Sequence, residues 1–139
     1  MNHGKAHINA GRYAFDTAYW LILNYPQSKR DYLLSQVAQY QNEVEKLAIS
    51  WNGNVESAKS IYSGIANPAV ATLKEDQKTF MALAVPEPLA TYRDKMKEGM
   101  EKVLYALENF TEGYTETLNL GKFYFDEGYK AIMAYQVTP

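Results

Sequence analysis

Residues 30–65 read RDYLLSQVAQYQNEVEKLAISWNGNVESAKSIYSGI. Large apolar side chains fall at Leu33, Val37, Tyr40, Val44, Leu47, Trp51, Val55, Tyr62 and Ile65, with Ala58 in the one remaining place. Every step is three or four residues, the spacing that lines up one face of an α-helix; a half-buried strand would alternate in twos. Asn52-Gly53-Asn54 has the composition of a turn. A turn there would reset the phase of the stripe, and the phase runs on through Val55, Ala58 and Tyr62. A glycine inside a helix costs about 1 kcal/mol relative to alanine. Burying Trp51, Val55, Tyr62 and Ile65 on one face offsets that, at about 1.5–3 kcal/mol for each large side chain. The pattern therefore predicts one helix over about 28–66, opened by Ser28 as N-cap with Asp31 three residues on.

Upstream, a first helix is expected over about 5–24, ended by Pro26, because proline disfavours helical geometry in the residue before it. One side of it carries Ala14, Ala18, Leu21, Ile22 and Tyr25; a second carries Tyr13, Trp20 and Leu23. Two apolar faces on one helix require either a central position in a bundle or a partner on the outside. Tyr13, Trp20 and Leu23 are the candidate partner interface, since buried Trp and Tyr dominate binding surfaces.

Downstream, Asn67-Pro68 reads as an N-cap and first helical residue. The helix it opens should cover about 68–84, with Val70, Leu73, Phe80, Met81 and Ala84 inward, until Val85-Pro86-Glu87-Pro88 breaks it. A second long helix follows over about 88–119. Its stripe is Leu89, Tyr92, Met96, Met100, Val103, Leu107, Phe110, Tyr114 and Leu118, and its opposite face carries Asp94, Glu98, Glu101, Glu108, Glu112 and Glu116. Gly121 should stop or kink it. A last helix over about 122–135 contributes Phe123, Tyr124, Tyr129, Ile132 and Met133, and the tail 136–139 should fray. A short echo, Glu98-Gly99-Met100, Glu112-Gly113-Tyr114 and Glu127-Gly128-Tyr129, places glycines where another helix could approach closely. No alternating run competes as a strand. The expected fold is all-α: one domain over 1–139, a four- or five-helix, mostly antiparallel bundle with two long members, about 28–66 and 88–119.

The 139 residues are 47% apolar and 22% charged, enough for a packed core and unlike a disordered chain. With 14 basic and 16 acidic residues the net charge is −2, so nothing attracts a polyanion and no nucleic-acid partner is expected. The longest apolar run, Tyr13–Tyr25, is interrupted by Asp16 and Thr17 and is too short for a transmembrane segment. There is no cysteine, which removes disulfides, thiolate metal ligands and a cysteine nucleophile together. Twelve tyrosines suit half-buried helix faces and partner surfaces, since each joins a flat apolar body to a polar tip.

Chemistry is harder to find. His3 and His7 have the i, i+4 spacing of helical metal ligands, but they are the only histidines and no third ligand stands near. The Glu-x-x-His pairs of carboxylate-bridged di-metal bundles are missing. Glu108, Glu112 and Glu116 form an acidic ladder that reads as a solvated face. Asp76, Asp126 and Glu127 are acids without a constellation around them. No phosphate-binding glycine loop or nucleophile triad is recognisable. No catalytic residue, metal or cofactor is therefore assigned.

Two stretches resemble known families. Trp51-Asn52-Gly53 resembles the Trp-x-Gly turn of the small helical-hairpin proteins exported by specialised bacterial secretion systems, which implies a hairpin reversing there; the resemblance covers three residues. Asn119-Leu120-Gly121 through Pro139 resembles one tetratricopeptide unit, with Tyr124, Gly128, Ala131 and a final proline, although Gly128 and Ala131 are spaced too closely for that pattern.

The function expected is a non-enzymatic protein–protein interaction or structural module, self-associating or binding a protein partner through its first helix. The alternative is an extracytoplasmic small-ligand-binding or sensor-type bundle with a pocket lined by tyrosines.

Overall fold

The structure, a computed structural model, describes residues 2–59, 68–109 and 113–138, with side chains described from residue 27 onward. Four α-helices follow in order: α1 (Asn2–Lys59), α2 (Pro68–Ala82), α3 (Ala90–Glu108) and α4 (Tyr114–Ala134), with a 3-10 turn at Glu87–Leu89 leading into α3. No strand occurs among the described residues, and the fold is an all-α bundle. The chain divides into two compact units, one of Met1–Ser35 with Val137–Pro139, the other of Gln36–Gln136.

The stripe that opened the sequence reading is the α1 contribution to the core of the larger unit. Val37, Tyr40, Val44, Leu47, Trp51, Val55 and Ala58 are all buried. The helix passes Gly53 without reversing, so the hairpin implied by Trp51-Asn52-Gly53 does not form. Leu33 is half-buried, and Tyr62 and Ile65 lie outside the described residues.

Pro26 does not end a helix. It lies inside α1, and the two helices expected over 5–24 and 28–66 are one, with Ser28 in its interior rather than at its N-cap. Proline's fixed φ is itself helical. What it removes is one N–H donor, and its ring crowds the carbonyl four residues back, a cost of about 3 kcal/mol rather than a prohibition. Immediately beyond it, Gln27 Nε2 donates to Asp31 Oδ1 at 3.0 Å, an i, i+4 contact along the helix surface.

Within the Gln36–Gln136 unit the other helices pack in alternating directions. Gln41 of α1 meets Ile132 and Tyr135 at the end of α4, Trp51 stacks on Phe125 at 5.7 Å, and Glu56 meets Lys122 at 3.3 Å, so α4 runs antiparallel to α1. Ser50 and Asn54 reach Asp76, fixing α2 against α1. Lys74 and Glu108 pair at 2.6 Å between α2 and α3. In α2, Val70, Leu73 and Phe80 are buried as the spacing predicts. The helix stops at Ala82, so Ala84, expected to face inward, stands exposed beyond its end.

The helix expected over 88–119 is two helices. Asn109 turns extended, and its N–H and its Nδ2 both donate to Tyr105 O, at 3.0 and 2.9 Å, closing α3. Gly113, at φ 85°, is the left-handed residue from which α4 starts, with Thr117 N–H donating to Gly113 O at 2.9 Å. That conformation is readily open only to glycine. Gly121, expected to stop a helix, lies inside α4, and residues 119–134 of the stretch resembling a tetratricopeptide unit belong to that one helix.

Gly121 serves close approach instead. A Cβ on Gly99 would stand 2.5 Å from Gly121 O and from Phe125 N; one on Gly121 would meet Gly99 O at 2.8 Å; one on Gly128 would meet Tyr92 O at 2.7 Å. The α3 and α4 backbones therefore touch along a seam of three glycines, with Met96, Met100, Val103, Leu107, Leu118, Phe125 and Ile132 buried around it. Two of the three echoed glycines, Gly99 and Gly128, serve this seam; the third, Gly113, serves the turn.

Candidate functional site

Tyr13, Trp20 and Leu23, the interface expected from sequence, sit on α1, but their side chains lie outside the described residues, as do those of His3 and His7. The acidic ladder is not a ladder. Glu108 closes α3 and pairs with Lys74, Glu112 lies outside the described residues, and Glu116 belongs to the first turn of α4. The helix expected to align all three is broken between them. Among the described residues no three His, Cys, Asp or Glu side chains gather where they could hold a metal ion, and no helix is long and apolar enough to cross a membrane.

Three polar features remain in the Gln36–Gln136 unit. The first ties α1 to α2. Ser50 Oγ donates to Asp76 at 3.1–3.2 Å, and Asn54 Nδ2 donates to Asp76 Oδ2 at 2.9 Å. This satisfies the Asp76 carboxylate at the edge of a cavity of about 340 Å³ that Lys46, Thr79 and Leu83 also line. Asp76 is thus an inter-helix tether, a role that its sequence context did not disclose.

The second lies two turns or more earlier on α1. Gln36, Gln39, Tyr40 and Glu43 face the turn Ala82–Ala84, where α2 ends, around a partly enclosed cavity of about 280 Å³. Tyr40 forms its buried wall, 1% exposed, and its hydroxyl has no hydrogen-bond partner among the described residues. Burial pushes the Tyr40 phenol up to about 12; Arg93 works against this and Asp94 with it. Those two are joined to each other at 2.9 Å. Periodicity placed Tyr40 in the core but could not show that its hydroxyl would be stranded there.

The third is the outer side of the α3–α4 seam. Two shallow grooves of about 610 and 530 Å³ meet at Glu98. Two ammonium groups stand over the Tyr124 ring there, Lys95 Nζ at 5.7 Å and Lys102 Nζ at 5.6 Å from its centroid, both within cation–π range. Tyr105, Leu120 and Phe123 are exposed on the same two helices, although Phe123 was expected to contribute to the interior. With α4 starting at Gly113, the residues that fill its inner face are Leu118, Phe125 and Ile132.

Comparison with models of known protein families, with curated proteins and with solved structures finds no match.

Proposed function

We propose that this protein is a non-enzymatic interaction or structural module that self-associates through its N-terminal helical stretch. One observation carries the reading: the unit of Met1–Ser35 with Val137–Pro139 contains a single length of helix and three further residues. Among the described residues of that unit there is no second helix or sheet for an apolar face to pack on. A lone helix draws little stability from its own hydrogen bonds and depends on a facing surface. Its sequence is nonetheless rich in large apolar residues. Tyr13 and Trp20, seven residues apart, share a helical face, with Leu23 one turn further on the same side. The face is suited to meet its counterpart on a second copy, where Trp and Tyr act as anchors.

The test is the solution mass of wild type and of Trp20→Ala. The expected wild-type mass is a multiple of the 15.8 kDa chain, falling toward one chain in the variant. A wild type that stays at one chain's mass at high concentration, with Trp20 fluorescence already that of a buried indole, overturns the reading.

A further inference from the structure

The cavity beside Tyr40 has a one-sided chemistry. Glu43 supplies the single ionised group in its lining, and no ion pair to Glu43 is formed among the described residues. Gln36 and Gln39 add amides, each with an acceptor oxygen and an NH2 donor. The cavity also faces the C-terminal end of α2, where Leu83 N–H closes back on Phe80 O at 3.2 Å. The last carbonyls of a helix lack intrahelical donors and carry its negative dipole end. No Lys or Arg lines the cavity. Lys46 borders only the next cavity along, beside Asp76, although Glu43 touches both. Arg93 of α3, whose charge acts on the Tyr40 phenol, has its Nε paired with Asp94 at 2.9 Å. The lining is therefore net negative, and the two glutamines can turn either end of their amides toward a guest.

From this we infer that the Tyr40 cavity binds a small organic cation, a primary ammonium or guanidinium on a short alkyl chain. The Glu43 carboxylate and the α2 carboxyl end take the charge, the Gln36 and Gln39 amides take further N–H donors, and Leu83 and Ala84 flank the alkyl chain. The volume, about 280 Å³, lies at the lower end of ligand pockets, which limits the guest to a few heavy atoms. This site is separate from the self-association proposed above and can stand or fall without it.

The experiment is a titration of the full chain with n-butylammonium chloride, followed by amide NMR, with n-butanol and sodium butyrate as matched neutral and anionic probes. We expect saturable shifts at Leu83, Ala84 and the side-chain amides of Gln36 and Gln39, with a midpoint on the order of 1 mM. Butanol should bind about tenfold more weakly and butyrate not at all. Glu43→Gln, a half-exposed and nearly isosteric change, should weaken butylammonium about tenfold with unchanged helical circular dichroism. Lys46→Gln should leave the midpoint unchanged. Equal responses to the three probes, no saturable shift with butylammonium, or a folded Glu43→Gln that binds as wild type does would each overturn the inference. The three-probe comparison needs no variant and decides the matter even if Glu43→Gln is unstable.

Discussion

Two helical glycines in this protein should respond to the same substitution with opposite signs. At Gly53, in the interior of α1, a Cβ meets nothing within 4 Å. Alanine there gains helix propensity and loses nothing, so Gly53→Ala should stabilise by about 0.5–1 kcal/mol. At Gly99, in the interior of α3, the same Cβ stands 2.5 Å from a carbonyl oxygen and from a backbone nitrogen of α4, where ordinary contact begins near 3.4 Å. Neither obstacle is a side chain that can swing aside, so the seam itself must open by roughly 1 Å. A gap of that size forfeits a quarter to a half of the dispersion energy of the contacts it separates. Overpacking of this kind costs about 1–3 kcal/mol, and a backbone obstacle argues for the upper end. Subtracting the gain of about 1 kcal/mol in propensity leaves Gly99→Ala destabilised by about 2 kcal/mol. In urea, with a slope near 2 kcal/mol/M, the midpoint should fall by about 1 M for Gly99→Ala and rise by about 0.3–0.5 M for Gly53→Ala. Adding Gly121→Ala to Gly99→Ala should cost less than the two separately, because the seam has already parted. A Gly99→Ala protein that unfolds at or above the wild-type midpoint, with an unchanged slope, would refute the close approach.

Two further expectations concern polar groups in the same unit. Gln41 Nε2 donates to Ile132 O at 2.9 Å and to Tyr135 O at 3.0 Å, so one side chain of α1 caps the end of α4; Gln41→Ala should cost about 1–2 kcal/mol in urea melts, and hydrogen exchange should quicken first over the last turn of α4. The Tyr40 phenol, raised from 10.0 to about 12, keeps its proton in the folded chain after the unfolded chain has released it, so stability is full below pH 10 and falls between pH 10 and 12 by about 3 kcal/mol in all. Tyr40→Phe should flatten that alkaline limb, leaving the smaller slope of the same sign from Tyr129, whose phenol burial also pushes up; superimposable alkaline limbs would count against a buried, unpartnered hydroxyl.

Most of the core could be read from spacing, because burial on a helix is a one-dimensional pattern. Val37 through Ala58 on α1, Met96 through Leu107 on α3, and Ile132 on α4 point inward for the reason their intervals announce, whereas Phe125, buried where Phe123 was expected, did not appear in that pattern. What spacing could not disclose depends on a second chain segment. Gly121 has the sequence look of a stop, and only the arrival of the α3 backbone beside it turns it into a packing residue. Asp76 reads as one acid among many until Ser50 and Asn54 come within reach from α1. The Tyr40 cavity needs the end of α2, at Ala82–Ala84, to become a cavity at all. Pro26 erred in the other direction: a local rule against proline in helices was applied as an absolute, where its cost is finite.

The asparagines show why one line of reasoning succeeded at Gly53 and failed at Gly113. In both places the apolar stripe continues in phase across a glycine, and continuity of phase suggests continuity of helix. Phase is a weak witness, however, because two helices that face one core across a short turn can keep the same register as one unbroken helix. The discriminating contact is made by the amide. Asn54 Nδ2 reaches sideways to Asp76 on another helix at 2.9 Å and leaves the α1 backbone undisturbed. Asn109 Nδ2 reaches back to Tyr105 O, also at 2.9 Å, the same carbonyl that its own N–H bonds at 3.0 Å, so both donors of one residue converge on the last turn of α3. Asn109 itself is extended, at φ −126° and ψ 92°, which ends α3, and Gly113 in the left-handed region starts α4. The same residue type thus extends a helix where a neighbouring helix offers it an acceptor and ends one where its own backbone does.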